Sequence, residues 1–198
     1  HGAHPHLTSD PIPAAAQVIQ ALQHVVSRNT APLEPAVVTI GSIHGGTAAN
    51  IIPSEVVLQG TIRTMGEPLR TDICRWIERA VNGAAMAHGC QAEVTFKRGY
   101  PAVHNDPEQT ELALQAARSI LPADQVEVME ASMGAEDFSY YLERVPGAVG
   151  CLGAAPPFGE HYPLHSAHLR IEESAMITGV AFWLALLREA GRSMAVSE

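Results

Sequence analysis

Residues 36–64 read AVVTIGSIHGGTAANIIPSEVVLQGTIRT, two β-prone runs joined by a loop rich in glycine and small residues. The first run, AVVTIGSI (36–43), is dense in β-branched side chains. In the second, EVVLQGTIRT (55–64), Val56, Leu58, Gly60 and Ile62 alternate with Glu55, Val57, Gln59, Thr61 and Arg63. Alternation of period two sends successive side chains to opposite faces of a strand, so the stretch predicts two strands joined by a loop. On the N-terminal side, Asp10-Pro11 has the form of an N-cap followed by proline at the first helical position. Ile12, Ala16, Ile19, Leu22 and Val26 then recur at helical spacing and predict a helix over 11–28. On the C-terminal side, Pro68 opens a second helix with Leu69, Ile73, Trp76, Ala80, Ala84 and Ala87 on one face. Gly89 is placed to end it. Ala92, Val94 and Phe96 predict a third strand.

The order helix, strand, strand, helix, strand is a ferredoxin-like βαββαβ unit without its first strand. That strand is central in the topology, and its loss would leave unpaired backbone inside the sheet, so the chain is expected to be truncated upstream. From Tyr100 the character changes: YPAVHNDPE (100–108) is rich in turn formers and has the composition of a linker between domains. Asp106-Pro107 then caps a helix carrying Leu112, Ala116 and Ile120. Beyond it the pattern predicts a short strand over 126–129, a turn into FSYYL (138–142) and a small apolar strand over 148–152. A last helix is predicted over roughly 172–190, with Glu172 and Glu173 at its positive end. Met176, Val180, Trp183, Leu184 and Leu187 would face a core.

With 198 residues, 46% of them hydrophobic and only 17% charged, the chain can bury a core as one large domain or two small ones. A formal net charge of −9 repels phosphate backbones and anionic lipid, and the twelve Lys and Arg form no run, so nucleic acid and membranes are not expected partners. No apolar stretch reaches the roughly 18 residues of a membrane span. Cys74, Cys90 and Cys151 are scattered, odd in number and without C-x-x-C spacing, which argues against a disulfide framework or zinc ribbon and for a reducing cytoplasm.

Ten histidines are present. His1, His4 and His6 cluster in HGAHPHLTSDP (1–11), and His161, His165 and His168 cluster near the other end. In HYPLHS (161–166) the proline stiffens the loop and would hold His165 in one orientation, as a ligand requires; a solvated loop histidine is the competing reading. A catalytic zinc wants about three protein ligands, so one histidine is not a site. Glu136 and Asp137 precede an apolar helical turn and read either as an N-cap or as acids of a site. Arg63 lies on the polar face of its strand with Gln59 and Thr61. It is either a bidentate carboxylate clamp or half of a surface ion pair. Asn50 lies in the loop before it, and Gly45-Gly46 is either an ordinary turn or a close approach of backbone to ligand. No GxGxxG, P-loop or GxSxG is present, which removes support for nucleotide binding and serine hydrolysis.

Taken together, HGAHPHLTSDP (1–11), the stretch from Ser27 to Thr64, RGYPAVHNDP (98–107), MGAEDFSYYL (133–142) and YPLHS (162–166) resemble the M20 metallopeptidases. The likeness is to the amidohydrolase branch containing hippurate hydrolase and N-acyl-amino-acid deacylases. The resemblance implies an α/β chain in two parts: a ferredoxin-like lid and dimerisation domain over 1–99, and from 100 to 198 the C-terminal part of a metallohydrolase catalytic domain. It implies that His165 ligates one of two divalent metal ions, zinc, manganese, cobalt or nickel. It also implies that His1 reaches an active site, often the partner subunit's, and polarises the scissile carbonyl. Asn50 and Arg63 would contact substrate, and Glu136 and Asp137 would lie beside the metal pocket without ligating. The implied reaction is hydrolysis of an N-acyl amino acid by metal-activated water. Members of the family carry an upstream H-x-C-G-H-D motif, a Glu-Glu pair and a further metal-binding histidine, and this sequence contains none of them. The chain by itself is therefore expected to be inactive, partnered by a missing N-terminal half and by a second copy through the lid. The alternative is a non-catalytic dimerisation or small-carboxylate-binding module.

Overall fold

The computed structural model of the chain describes residues 1–196, which form two compact units of mixed helix and small sheet. One comprises His1–Ala102 with Ser132–Glu136, the other Val103–Ala131 with the residues from Asp137 onward.

At the centre of the first unit, strand β1 (Ala36–His44) pairs antiparallel with β2 (Val57–Thr64), Ala36 opposite Thr64 and His44 opposite Val57. The register slips between Ile40 and Ser42, leaving Gly41 as the extra residue of a bulge. Ala36, Val38 and Ile40 share the core-facing side with Leu58 and Ile62. Between the last two, Gly60 is required by space: a Cβ there would lie 2.4 Å from the Thr39 carbonyl oxygen. Gly60→Ala should therefore push the strands apart and cost about 1–3 kcal/mol, the usual range for overpacking, read as a lower urea midpoint at constant m-value.

Helix α1 (Pro11–His24) begins as its sequence indicates, with the Asp10 carboxylate accepting from the Ile12 N–H at 2.9 Å. The buried stripe differs from the expected one. Ala14, Ala15, Val18, Leu22 and, just past the helix, Val25 are buried, whereas Ile12 and Ala16 are exposed. Two apolar rows run side by side along this segment, and the packing of α1 on the second helix selects the one with small alanines at its start. Val25–Asn29 continues as a wider π-helical turn.

Helix α2 (Glu67–Ala87) ends as anticipated at Gly89, whose φ is 65°. The Gly89 N–H donates to the Met86 carbonyl at 3.0 Å and the Cys90 N–H to the Ala85 carbonyl at 2.9 Å, the paired bonds of a Schellman motif. Ile73, Ile77 and Ala84 of α2 join Val18, Leu22 and Val25 in the core beneath the sheet.

The strand expected at Ala92, Val94 and Phe96 is not formed, and the sheet has two strands rather than the ferredoxin-like set. In the expected order this segment pairs with the first strand, and none of the described residues supplies one. Val94 still packs on the core, and side chains replace the ladder. Arg98 contacts the Glu67 carboxylate at 2.8 Å, and Arg70, itself paired with Glu67, donates to the Tyr100 carbonyl at 3.2 Å.

In the second unit, α3 (Pro107–Arg118) is capped by the Asp106 carboxylate, which accepts from the Gln109 N–H at 3.0 Å. A single turn, α4 (Ser139–Leu142), and the long α5 (Ala175–Val196) follow. α3 packs on α5, and the buried Ala116 and Ala185 belong to these two helices. The strands expected over 126–129 and 148–152 are absent, because no neighbouring strand among the described residues receives them. Around 149 the Asn105 side chain does the work of a strand partner. Its Nδ2 donates to the Val149 carbonyl at 3.0 Å, and its Oδ1 accepts from the Val149 N–H at 2.9 Å. α5 starts three residues later than expected, with Glu172 and Glu173 ahead of it. Its apolar face does not meet a core: Met176, Val180, Trp183, Leu184 and Leu187 are all exposed. The period is correct, but nothing among the described residues covers the face it defines.

All three cysteines are free thiols, and burial raises the pKa of Cys74 despite the opposing pull of Arg70. Among the described residues no helix is long and apolar enough to cross a membrane.

Candidate active site

His165 is the one non-glycine residue with positive φ among those described, at 71°. The Ser166 N–H donates to the Pro163 carbonyl at 3.2 Å, closing a four-residue turn in which His165 is third, the position where a type II turn demands φ above zero. Histidine tolerates that region better than β-branched residues do, but the left-handed conformation still costs roughly 1–2 kcal/mol. The surrounding bonds hold it there. The Ser166 carbonyl accepts from the Leu169 N–H at 3.2 Å, and the Ser166 hydroxyl oxygen accepts from the His168 N–H at 3.1 Å. The Tyr162 ring lies 5.4 Å from that of His168, tilted by 45°, and its hydroxyl donates to Glu160, a bond that raises the phenol's pKa. Of the two histidines in HYPLHS, His161 has a ring nitrogen 2.8 Å from the Pro156 carbonyl oxygen. His165 is exposed, and its ring takes no partner among the described residues.

At the other candidate locus, the Gly2 N–H donates to the Asn50 carbonyl at 2.8 Å. A Cβ on Gly2 would sit 3.1 Å from that oxygen, so the small residue permits the approach. This bond brings His1 and Asn50 together. The His1 Nδ1 accepts from the Ala3 N–H at 3.1 Å, and its ring lies 5.2 Å from that of His4. The loop carrying Asn50, with Gly46 at φ 79°, borders an open concavity of about 550 Å³ against the start of α1.

Arg63 is not part of that group. It pairs with Val37 near the opposite end of β2, six residues past Val57, or about 20 Å of strand at ~3.3 Å per residue. Its guanidinium donates at 3.4 Å to the Ile62 carbonyl and forms no ion pair among the described residues, so the surface salt bridge that competed with the clamp reading is not made.

Glu136 and Asp137 are exposed. The N-cap of α4 is Phe138, which makes no side-chain cap, and the Asp137 backbone carbonyl accepts from the Tyr140 N–H at 3.1 Å. Among the described residues no three His, Cys, Asp or Glu side chains come together in a group that could hold a metal ion. The turn geometry at His165, the Gly2–Asn50 bond and the Asn105 clamp were not visible in the sequence.

The profile of Peptidase family M20/M25/M40 matches residues 3–189, and the chain belongs to that family. N-acetyldiaminopimelate deacetylase of Bacillus subtilis (strain 168) is 39% identical over 180 residues, 91% of this chain and 47% of that protein. The enzyme of the same name from Geobacillus sp. (strain WCH70) is 38% identical over 193 residues, 98% of this chain and 50% of that protein. Among solved structures, a Bacillus subtilis protein described as a dinuclear metal binding peptidase from the M20 family matches with a TM-score of 0.70 at 30% identity, over 89% of this chain and 45% of that one. The chain thus spans about half the length of the relatives it matches.

Proposed function

We propose that this chain is part of a metal-dependent amidohydrolase that cleaves the amide bond of N-acyl amino acids. The observation that carries the proposal is the exposed His165, held in a left-handed turn by its neighbours within a chain that matches the family almost end to end. Strain of this kind, maintained by surrounding bonds, is characteristic of functional positions. His165 then supplies one ligand to a two-metal centre whose other ligands lie outside this chain. When bound, the metal ions supply Lewis acidity and activated water. Glu136 and Asp137 lie beside the metal pocket without ligating. His1 presents an imidazole N–H to the oxygen of the scissile carbonyl, stabilising the charge that develops there. Asn50, tied to the same segment, contacts the substrate beside it. Arg63 clamps the substrate carboxylate through its two-pronged guanidinium. The names of the relatives favour acetyl as the acyl group transferred to water, and hippurate, the benzoyl counterpart, is the natural comparison substrate.

The distance along β2 adds a condition. Arg63 of one chain and the His1–Asn50 pair of that chain are too far apart to hold one small substrate, so the two groups serve different active sites. That supports a homodimer through the lid domain, over 1–99, with 100–198 completing the catalytic domain. The free thiols fit a cytoplasmic enzyme.

For the chain by itself, a small-carboxylate-binding or dimerisation module is favoured by Arg63, whose guanidinium forms no ion pair among the described residues. The test is hydrolysis of N-acetyl and N-benzoyl amino acids by the complete gene product, chelated and then resupplied with zinc, manganese, cobalt or nickel. Metal-restored release of the free amino acid is expected. Carboxylate binding without turnover under every metal would replace the enzyme reading with the module.

A further inference from the structure

We infer that the concavity beside His1 and Asn50 receives the acyl group of the substrate and selects an uncharged one. This rests on the amidohydrolase reading above. Gly2, adjacent to His1, and Ala49 and Ile51, on either side of Asn50, all border it, so it opens next to the two residues assigned to the scissile carbonyl. Its larger apolar side chains are Ile12, Ile51, Ile52 and two prolines, Pro5 and Pro53. Ile12 and Ile51 are 49% and 57% exposed, held open at the surface rather than packed into the core. Gly46, at φ 79°, leaves the space toward Ile12 and Pro53 clear: a Cβ there would touch both at 4.0 Å.

Charge decides which end of the substrate enters. A scissile carbonyl bears two substituents, the acyl chain and the nitrogen of an amino acid that ends in a carboxylate. No Lys or Arg borders the concavity, and Asp10 does, its carboxylate held in place by the Ile12 N–H at 2.9 Å. A substrate carboxylate would meet like charge there and no counter-ion. The cation available for it, Arg63, is at the far end of β2. An apolar acyl group meets Ile12, Ile51 and Pro53 instead. At about 550 Å³ the space falls in the range of small-ligand clefts and has room for an aromatic acyl group as well as an acetyl.

The experiment is a titration of the complete gene product, labelled at isoleucine methyls, with N-benzoylglycine, N-acetylglycine and glycine. The Ile12 and Ile51 methyl resonances should shift with N-benzoylglycine, shift less with N-acetylglycine and stay in place with glycine. Ile51→Trp, which fills the space from its exposed rim, should weaken N-benzoylglycine about tenfold through lost apolar burial. An unmoved resonance from buried Ile73 reports that this variant remains folded. Methyls that ignore N-benzoylglycine, or respond equally to glycine, overturn the assignment. Hydrolysis in the same preparation separates the two claims. Shifts without hydrolysis leave the pocket standing and remove the reaction, whereas hydrolysis with silent Ile12 and Ile51 removes the pocket.

Discussion

Replacing His165 with glycine is expected to abolish amide hydrolysis by the complete gene product while making the protein more stable. Glycine occupies a φ of 71° without the left-handed penalty that a Cβ imposes, so the turn from Pro163 to Ser166 should tighten and stability should rise by about 1 kcal/mol. On the proposed function, the same change also removes an imidazole from the metal centre. Loss of groups that merely support metal ligands already costs about 10–100-fold, so turnover should fall at least a hundredfold. His165→Ala separates the two effects: it loses the imidazole but keeps the Cβ, and should be as inactive as the glycine variant without its gain in stability. Denaturation midpoints and kcat on the same preparations check both halves. A glycine variant that is less stable, or that keeps its activity, would mean that the turn is an ordinary loop and His165 a solvated side chain.

Ile73→Ala should produce the largest loss of stability. Ile73 is fully buried, packed with Val18, Leu22, Val25, Ile77 and Ala84 beneath β1 and β2. Truncating such a residue removes its transfer free energy and leaves a cavity, together about 2–5 kcal/mol. Against a total stability of about 5–15 kcal/mol this is a large fraction, and the cavity lies where α1, α2 and the sheet meet. The Gly2–Asn50 bond, made by the loop of the β-hairpin, should loosen with it. Met176→Ala on α5 provides the contrast. Met176 is chemically comparable but exposed, so in this chain its loss should change stability by no more than about 0.5 kcal/mol. Chemical denaturation of the two variants would distinguish them. Equal losses would mean that α5 is packed as its periodicity alone predicts.

That contrast shows where the fold is legible from residues and where it is not. Local signals were reliable: Asp10-Pro11 and Asp106-Pro107 start helices, Gly89 closes one through a Schellman motif, and the alternation in 55–64 is a strand with its even-numbered residues inward. Signals that need a partner were not. Val94, Val128 and Val149 sit in strand-like sequence, but a strand is defined by its neighbour, and the described residues provide none. The stripe of α5 is apolar for the same reason that it is exposed: periodicity reports which face seeks burial, not whether it finds it. In α1 two apolar rows compete, and only packing against α2 chooses Ala15 and Val18 over Ile12 and Ala16. For the candidate site residues, the sequence names the side chains but not how they are grouped. Gly2, next to His1, is joined to Asn50 by a backbone bond across 48 positions, and Arg63 is separated from Asn50 by a strand's length although the two lie 13 positions apart.

That separation provides the most direct measurement of the account. His1→Ala and Arg63→Ala variants of the complete gene product, each impaired alone, should recover activity when unfolded, mixed and refolded together. In a homodimer whose sites each take His1 from one chain and Arg63 from the other, random pairing places both lesions in one site of each mixed dimer and leaves the second intact. About a quarter of all sites are then restored, because mixed dimers form half of the population and have one good site in two. Recovery toward a quarter of the unmodified activity is the predicted result. A mixture no more active than the mean of its two parents would contradict the account, because His1 and Arg63 would then act in the same site or not at all.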